Sequence, residues 1–577
     1  MSLFGRRRKV QKIYEIAPDE VFLDSSNLPG HNAGQFEGRV ERPISIRSVA
    51  AIGIFFILIA GSFAFRAYSL QISQGQEYAD LSVRNTLRRS IIFATRGIIY
   101  DRTGKELAWN SSQQNASSTV TRTATSTKST YAYRVYSPQS GLSHLVGYIQ
   151  YPKTDASGRW WQENYTGISG AEATYEDTLA GTNGHTMSEI DAHGEIMREN
   201  IVTPPQNGQD LHLSINADIQ EKLYTQLWQH AQNHNFKGGA AIIMNVRTGE
   251  IIAITSFPEY DHQAFVEGDR TVISKQTQSP SKPLLNRAIS GLYAPGSILK
   301  PIFAAAALNE GIISPQKEIL SKGQITIPNP YDPSKPSIYR DWTVHGWTDM
   351  RTAIAVSSDE YFYTIGGGHG GQEGLGIARI DRYSQMFGLG STTGIELLGE
   401  EDGVIPTPAW KVRVFGEDDP WRLGNTYHTA IGQFGFQTTP IQAVQFTAAI
   451  ANGGKLWVPQ LIASTTSTYT QIPIPDRHLQ VVREGMRLAV TSNRHDATVK
   501  ALNIPGIKIA AKTGTAQIGA NNEWMNSWNV GFWPAENPHY AYAVVLERAP
   551  AGTASGAAPA MQPFFYWLIA NHPEYVE

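Results

Sequence analysis

A serine and a lysine stand three positions apart where the sequence predicts the start of a helix. In the stretch YAPGSILKPIFAAAALNEG, Ser297 follows Pro-Gly and Lys300 comes one helical turn later. Residues i and i+3 of a helix lie on the same face, so the two side chains can meet. A serine hydroxyl is a weak nucleophile alone and becomes a strong one beside a base. The pair is therefore a candidate nucleophile and base; the structural alternative is a capping serine and a surface lysine.

The spacing S-x-x-K is a weak signal by itself, because the chain contains it three times. A proline interrupts the copies that begin at Ser279 and Ser314. Only the copy that begins at Ser297 leads directly into a long apolar helical pattern. Pro301 lacks the amide hydrogen that would bond the carbonyl of Ser297, so we expect an irregular start to this helix.

Two further short motifs strengthen the signal. S-S-D ends at Asp359, and K-T-G-T begins at Lys512 as the single K-T-G of the chain. The second motif lies about 60 residues after the first, and the third lies about 155 residues after the second. The order S-x-x-K, S-x-[DN], K-T-G is the pattern of penicillin-binding proteins and serine β-lactamases. The sequence therefore resembles enzymes that form an acyl ester on a serine.

The chemistry of attack on an amide gives these residues separate roles. The reaction needs an activated hydroxyl, a proton route to the leaving amine, and donors for the developing oxyanion. Ser297 is the expected nucleophile, and Lys300 is its base if burial and nearby cations favour the neutral amine. Ser357 is suited to relay a proton to the leaving group. Lys512 brings positive charge for a substrate carboxylate, and Gly514 leaves room for a substrate against an edge strand.

The resemblance covers nearly everything from residue 66 to about residue 548. The chain resembles class B penicillin-binding proteins, in particular the elongation-type penicillin-binding protein 2 group. Seven stretches carry the likeness: RGIIYDRTG at 96–104, GISGAEATYEDTLAGTNG at 167–184, GQDLHLSINADIQ at 208–220, NRAISGLYAPGSILKP at 286–301, FGLGSTTGIELLGEEDGVIP at 387–406, TAIGQFGFQTTPIQ at 429–442 and SWNVGFWP at 527–534. The family's geometry implies an oxyanion hole formed by the amides of Ser297 and Thr515. It also implies that Asp359, Thr513, Gly514 and Thr515 line the substrate site.

Two positions depart from the family pattern. The second motif usually ends in Asn, and here it ends in Asp359. A carboxylate accepts hydrogen bonds from Lys300 or Lys512 but cannot donate as an amide does. Some elongation-type members also carry S-x-D, so we interpret Asp359 as a mark of that subfamily. Phe434 in GQFGF stands where the family usually has Gly, which predicts an altered loop shape.

The resemblance implies a reaction on peptidoglycan. The exported domain would bind a stem peptide that ends in D-Ala-D-Ala, and Ser297 would attack the penultimate carbonyl. An amine on a neighbouring stem would then open the acyl-enzyme and form a cross-link, in lateral elongation of the wall. Penicillins would acylate the same serine, and no metal or organic cofactor is required. Such enzymes typically pair, through anchor and pedestal, with a multi-pass membrane glycosyltransferase of the RodA type.

One apolar segment indicates a membrane anchor. No charged residue occurs from Ser48 to Phe65, and about 18 apolar residues are enough to cross the hydrocarbon core. The excess of Lys and Arg before this segment predicts a cytoplasmic N-terminus and an exported body, held by a single pass in the bacterial plasma (inner) membrane. The alternative is a cleaved signal peptide, although the preceding region is far longer than the charged start of a signal.

The composition excludes several classes of function. The 577 residues include no cysteine, which removes thiol catalysis, disulfides and cysteine metal sites. The formal net charge is -3, and a nucleic-acid-binding protein would usually show a basic domain. His345, His369 and His428 lack the spacing of metal ligands, so we interpret each as a structural or surface histidine. The G-x-G-x-x-G within GGGHGG at 366–371 lacks the strand and helix of a dinucleotide site, so we interpret it as a loop.

The chain divides into four predicted segments of an α+β protein. They are a cytoplasmic tail at 1–47, a transmembrane helix at 48–65, an elongated mixed pedestal (dimerisation-type) domain at 66–225 and a transpeptidase domain at 235–577. In the last, strands, then helices, then strands predict a helical cluster against an antiparallel sheet. Helices are predicted at 350–365, 374–387, 439–452 and 477–492, and late strands at 507–516, 527–534 and 540–548.

Two other functions stay open on the sequence. In a D,D-carboxypeptidase or β-lactamase, water would open the acyl-enzyme, and the class B pedestal argues against this. In a catalytically silent scaffold or β-lactam sensor, Asp359 would have spoiled the site. Labelling by a fluorescent penicillin that is lost in Ser297→Ala would exclude the silent protein.

Overall fold

The structure is a computed structural model of the whole chain, and it describes residues 45–79, 87–112, 131–190, 196–329, 332–463 and 467–577. Nearly all of the predicted cytoplasmic tail and most of the Thr/Ser-rich stretch at 117–136 lie outside these residues. The chain separates into two compact units, and the larger comprises Arg89–Ser188 with Arg198–Glu577.

The apolar helix spans Ile46–Tyr68 and continues as a π-helical turn at Ser69–Ser73. Ser45 caps it by accepting a hydrogen bond from the amide of Ser48 at 3.1 Å, as serine commonly does at helix starts. None of its residues is buried. It is the one helix among the described residues that is long and apolar enough to cross a membrane.

The predicted pedestal consists of short strands, two of which form a hairpin around the turn that begins at Asp101. The strands Ile99–Tyr100 and Glu106–Ser111 pair antiparallel across a turn. Asp101 fixes this turn by accepting hydrogen bonds from the amides of Thr103 and Lys105, at 2.8 and 2.9 Å. The other strands are Leu87–Ile92, Tyr133–Tyr136, Ile149–Gln150, Lys153–Thr154, Trp160–Gln162, Thr166–Gly167, Gly184–Ile190, Ile196–Thr203 and Leu211–His212. Short helices span Ser143–Val146, Gly170–Thr174 and Glu176–Leu179.

A five-stranded antiparallel sheet forms the centre of the C-terminal part. Its strands, from one edge to the other, are Ile251–Phe257, Gly238–Asn245, Tyr540–Pro550, Trp524–Trp533 and Ala510–Ile518. Successive residues of a strand point to opposite faces. Accordingly, Ile243 packs with the helices Ala217–Asn233 and Ala557–Asn571, whereas Ile242 packs with Lys300–Asn309 and Pro440–Ala451. Helices cover both faces, which explains why Ile251–Phe257 and nearly all of Gly238–Asn245 are buried rather than alternately exposed.

The remaining helices form the predicted cluster beside this sheet. They are His262–Glu267, Arg270–Thr277, Arg287–Ser290, Met350–Val356, Asp359–Gly367, Gly376–Met386, Pro408–Phe415, Leu423–Ala430 and Asp476–Thr491, with 3₁₀ turns at Gly296–Leu299, Lys500–Leu502 and Pro573–Tyr575. Three small hairpins pair Ile319–Ser321 with Gly346–Thr348, Gln324–Ile327 with Ser337–Arg340, and Lys455–Trp457 with Tyr469–Gln471. The α+β class and the antiparallel sheet are therefore confirmed.

One predicted helix is wrong. The apolar pattern predicted a single helix at 350–365, and the structure has two, Met350–Val356 and Asp359–Gly367, with a break between them. Ser357 in the break has φ +59° and ψ +39°, a left-handed conformation that is uncommon for a residue other than glycine. The break therefore requires support from the surrounding structure.

Candidate active site

The predicted nucleophile lies on a 3₁₀ turn rather than in regular α-helix. Gly296–Leu299 forms this turn, and the α-helix begins at Lys300 with a proline in its first turn. The expected irregular start is thus present, and it follows from the missing amide of Pro301. Gly296 has φ +58° and donates its amide to the carbonyl of Gly432 at 2.9 Å, which fixes the turn against a neighbouring loop.

The second motif occupies the break between two helices. Ser358 caps the second helix, because its hydroxyl accepts a hydrogen bond from the amide of Tyr361 at 3.2 Å. The same hydroxyl donates to Asp341 at 2.8 Å, and the amide of Glu360 donates to that carboxylate at 2.9 Å. Ser357 is thereby held with its side chain only slightly exposed, at 7% for the residue.

The third motif lies on the edge strand Ala510–Ile518, directly against the nucleophile turn. A Cβ atom added to Gly514 would lie 2.7 Å from the carbonyl oxygen of Pro295 and 3.2 Å from the amide of Ile298. A Cβ added to Gly296 would lie 2.8 Å from the carbonyl oxygen of Thr515. Backbone of the strand and backbone of the turn are therefore in contact. Gly514 was predicted to leave room for a substrate against an edge strand. The close approach of the nucleophile turn is a second reason for a glycine at this position.

Two of the predicted residues, Lys300 and Lys512, converge on the hydroxyl of a third, Ser357. Lys300 Nζ donates to the carbonyl of Ser357 at 2.7 Å, to Ser357 Oγ at 3.3 Å and to Asp359 Oδ1 at 2.6 Å. Lys512 Nζ donates to the same Ser357 Oγ at 2.7 Å and to the carbonyl of Thr513 at 2.9 Å. Among the hydrogen bonds of the described residues, none joins Lys300 Nζ to Ser297 Oγ. The structure thus brings the three motifs together, with the amine of Lys300 directed to the second motif.

Burial dominates the electrostatics of this cluster. Both lysines are completely buried, and the carboxylate of Asp359 is 20% exposed. Burial, together with the neighbouring charge of Lys300, holds the pKa of Lys512 well below its ordinary value, while Asp359 acts in the opposite direction. Burial raises the pKa of Asp359, and Lys300 opposes that effect. Buried groups whose pKa values are shifted in this way cluster at functional sites.

The other predicted substrate residues border the same place. Thr515 is exposed and Thr513 is half-buried on the edge strand, opposite Ser527 and Asn529 of the next strand.

Phe434 has φ +59°, as expected for a residue in a glycine position, and its ring packs among Trp410, Phe415 and Trp421. That loop bears Gly432, which bonds the nucleophile turn. Over the part of the chain that the structure describes, no group of three or more His, Cys, Asp or Glu residues is suited to a metal.

Sequence reasoning missed a set of charged residues behind the second motif. Asp341, which bonds that motif directly, is completely buried in its side chain and faces His345. His345 in turn contacts Asp496, at 2.8 Å. From the sequence, His345 was predicted to be a structural or surface histidine, because it lacks the spacing of a metal ligand. In the sequence, the nearest indication of this charged set is the stretch DWTVH, shortly before the second motif, in which an Asp and a His are four residues apart.

Comparison with known proteins agrees with this geometry. The family model for the penicillin binding protein transpeptidase domain matches residues 239–566, and the model for the penicillin-binding protein dimerisation domain matches residues 127–213. The first match covers more than half of the chain. The chain therefore belongs to the family of penicillin-binding protein transpeptidases, and it carries the dimerisation module that accompanies them.

Relatives within that family are similar over most of their length. The peptidoglycan D,D-transpeptidase MrdA of Acinetobacter baumannii is 29% identical, with 93% of this chain and 89% of the relative covered. MrdA of Escherichia coli K12 is 28% identical, with 88% and 92% covered. The crystal structure of Pseudomonas aeruginosa PBP2 in complex with WCK 5153 is 29% identical with a TM-score of 0.67, and the match covers 85% of this chain and all of that one. These likenesses make the protein similar to the penicillin-binding protein 2 group.

Proposed function

We propose that this protein is a peptidoglycan D,D-transpeptidase that cross-links stem peptides through an acyl ester on Ser297. The observation that carries the proposal is the meeting of the three motifs. Lys300 and Lys512 both bond Ser357 Oγ, and the edge strand of Lys512 packs on the turn of Ser297. The family and the similarity to proteins named peptidoglycan D,D-transpeptidase support the same conclusion.

The first half-reaction transfers the stem peptide to the enzyme. Ser297 Oγ attacks the carbonyl carbon of the penultimate D-Ala, and its proton passes to the neutral amine of Lys300. The amides of Ser297 and Thr515 stabilise the oxyanion. The C–N bond then breaks, and Ser357 relays a proton to the departing amine of the terminal D-Ala. Lys512, with Thr513 and Thr515, holds the terminal carboxylate of the donor.

The second half-reaction uses an amine rather than water. The amine of a neighbouring stem attacks the ester carbonyl, Ser297 Oγ leaves and recovers a proton, and the new amide is the cross-link. The ammonium form of Lys300 has three donors, and all three are engaged by the second motif. Base catalysis therefore requires the neutral amine, which gives up one of these bonds and turns towards Ser297. Hydrogen bonds of this kind are often completed only when substrate is bound.

We further propose a single-pass anchor in the bacterial plasma membrane, with the N-terminus in the cytoplasm and the catalytic part outside. The apolar helix Ile46–Tyr68 and the many basic residues before it support this topology. A RodA-type multi-pass glycosyltransferase is the proposed partner in lateral wall elongation. A relative of known structure, PBP2 of Helicobacter pylori, is 25% identical and is seen in a complex with MreC, which makes an MreC-type protein a second candidate partner.

Penicillin labelling tests the assignment of the nucleophile and base. A fluorescent penicillin should label the wild type, and Ser297→Ala and Lys300→Ala should not be labelled although both fold. Ser314→Ala, in one of the other S-x-x-K copies, is the matched control and should label normally. Robust labelling of Lys300→Ala would refute the base assignment, and mass spectrometry of the intact protein and its peptides would locate the adduct.

A stem-peptide assay distinguishes transpeptidation from hydrolysis. With a donor peptide that ends in D-Ala-D-Ala and an acceptor amine, the cross-linked product should exceed the hydrolysed peptide. Hydrolysis that is unaffected by the acceptor would indicate a D,D-carboxypeptidase instead. Absence of both products and of labelling in the wild type would favour the silent scaffold or sensor.

A further inference from the structure

A buried chain of alternating charges stands behind the second motif. Asp341 Oδ2 accepts from the hydroxyl of Ser358 and the amide of Glu360, at 2.8 and 2.9 Å. Its other oxygen accepts from the amide of Trp342 at 2.8 Å and lies 3.5 Å from His345 Nε2. Asp341 therefore holds the start of the second helix, directly after Ser357 in its left-handed conformation.

His345 lies between two carboxylates. Its Nδ1 is 2.8 Å from Asp496 Oδ2, and its Nε2 faces Asp341 without a hydrogen bond of good geometry. Arg494 completes the chain, since its guanidinium donates to both oxygens of Asp496 at 2.9 and 2.8 Å and to the carbonyl of His345 at 2.9 Å. The side chains of Asp341 and His345 are completely buried, and that of Asp496 is 1% exposed.

Two carboxylates in such a place require a cation between them. An unpaired buried charge is costly, and an imidazolium between two carboxylates satisfies both. Burial lowers the pKa of His345, but the neighbouring carboxylates of Asp341 and Asp496 outweigh that effect, so the pKa is raised overall. The pKa values of the two carboxyl groups fall to about 2. The other charged groups that act on Asp341 are Lys300, Asp359 and Glu360.

We propose that His345 is a positioning residue for acylation, which as an imidazolium bridges Asp341 and Asp496 and so fixes the turn that presents Ser357 to Lys300 and Lys512. This inference rests on the proposed roles of those three residues. His345 does not touch the substrate or Ser357; it acts through Asp341 and Ser358. A group whose pKa is raised on folding stabilises below its ordinary pKa of about 6.5 and loses that effect as the pH rises through the raised value. The turn is therefore held at pH values below the raised pKa of His345 and loosened as the pH rises through it.

The experiment measures acylation of the full-length protein in detergent by a fluorescent penicillin, as a function of pH. In His345→Gln we expect the rate of the chemical step at pH 7 to fall by at least about tenfold, with little change in the binding constant of the penicillin. In Asp496→Asn, histidine keeps only one carboxylate, so the alkaline decline of acylation should begin at a lower pH.

His262→Gln is the matched control, because His262 is also buried but neutral, its pKa being lowered by burial to about 4. It should lose stability without any change in the pH profile of acylation. Equal losses in His345→Gln and His262→Gln, with superimposable pH profiles, would overturn the proposal. If His345→Gln does not fold, an unshifted alkaline limb in Asp496→Asn overturns it alone. Failure of the proposed function is separate, since it would appear as labelling of Ser297→Ala or as an unlabelled wild type.

Discussion

The contact between Gly514 and the nucleophile turn predicts how much a substitution of Gly514 slows acylation. In Gly514→Ala the new methyl group would lie 2.7 Å from the carbonyl oxygen of Pro295 and 2.9 Å from Ile298 Cγ2, where ordinary contacts begin near 3.4 Å. The strand is paired along its whole length to the next strand, so much of the displacement falls on the turn. Ser297 is then expected to move by about half an ångström relative to the other motifs.

A displacement of this size affects the reaction more than the fold. Overpacking of this kind costs about 1–3 kcal/mol of unfolding free energy. Misplacing a reacting group by about 1 Å can cost roughly 100-fold in rate, so about half of that distance predicts a loss of roughly tenfold or more. We therefore expect Gly514→Ala to fold and to be acylated by penicillin at least about tenfold more slowly than the wild type, as measured by stopped-flow fluorescence.

The control is a glycine with the same crowding elsewhere in the sheet. A Cβ added to Gly238 would lie 2.7 Å from Arg287 Nε and 2.9 Å from the carbonyl oxygen of Phe257. Gly238→Ala should lose a similar amount of stability in urea but be acylated within about twofold of the wild-type rate. The reasoning would be refuted if Gly514→Ala were acylated at the wild-type rate, or if both variants slowed equally.

Three further predictions concern stability. Asp359→Ala leaves Lys300 buried without its carboxylate and should cost about 3–5 kcal/mol of unfolding free energy, measured in urea. Asp359→Asn can still accept the hydrogen bond and should cost only about 1 kcal/mol. Equal costs would argue against the ion pair. Burial lowers the pKa of His144 to about 3. As the pH falls through about 6.5, the unfolded chain therefore binds a proton at this histidine and the folded chain does not. Between pH 7 and pH 5 the wild type should lose about 2 kcal/mol more unfolding free energy than His144→Phe. Phe434→Gly relieves a left-handed backbone but removes a ring packed among three aromatic side chains, so we expect a net loss of about 1 kcal/mol by thermal unfolding with normal penicillin labelling; a more stable variant would contradict this.

Local sequence signals were sufficient for much of the architecture. The helices predicted at 439–452 and 477–492 are present as Pro440–Ala451 and Asp476–Thr491, because each has a complete apolar period and a clear start. Thr439, for example, forms a capping box with Gln442. The late strands also agree within a few residues, since their apolar runs are separated by polar turns.

The break at Ser357 could not be predicted from local pattern. The run MRTAIAVSSDEYFYTI continues a helical apolar period through the motif, and neither Gly nor Pro interrupts it. The break is stabilised from outside, by Asp341 on Ser358 and by Lys300 on the carbonyl of Ser357. These partners lie 17 and 57 positions away along the chain. Periodicity reports which face is buried, and it carries no information about distant acceptors.

The candidate site shows the same division between local and distant information. Spacing predicts that Ser297 and Lys300 share a face, and motif order identifies Lys300, Ser357 and Lys512, whose side chains meet. Spacing does not reveal that three acceptors compete for the amine of Lys300. Nor does it reveal His345, because its partner Asp496 comes 151 residues later. Both features depend on how separate segments pack together.

The competition for Lys300 explains why an aspartate can stand in the second motif of a working enzyme. Asp359 accepts a hydrogen bond from Lys300 Nζ at 2.6 Å, and Lys512 Nζ donates to Ser357 Oγ at 2.7 Å. In the proposed mechanism the donor carboxylate binds Lys512, whose pKa is lowered by burial and by the charge of Lys300. A bound carboxylate would favour the ammonium form of Lys512, and repulsion between two close cations favours the neutral form of one of them. Substrate binding would thus help to supply a neutral base for Ser297, which is the nucleophile that attacks the substrate.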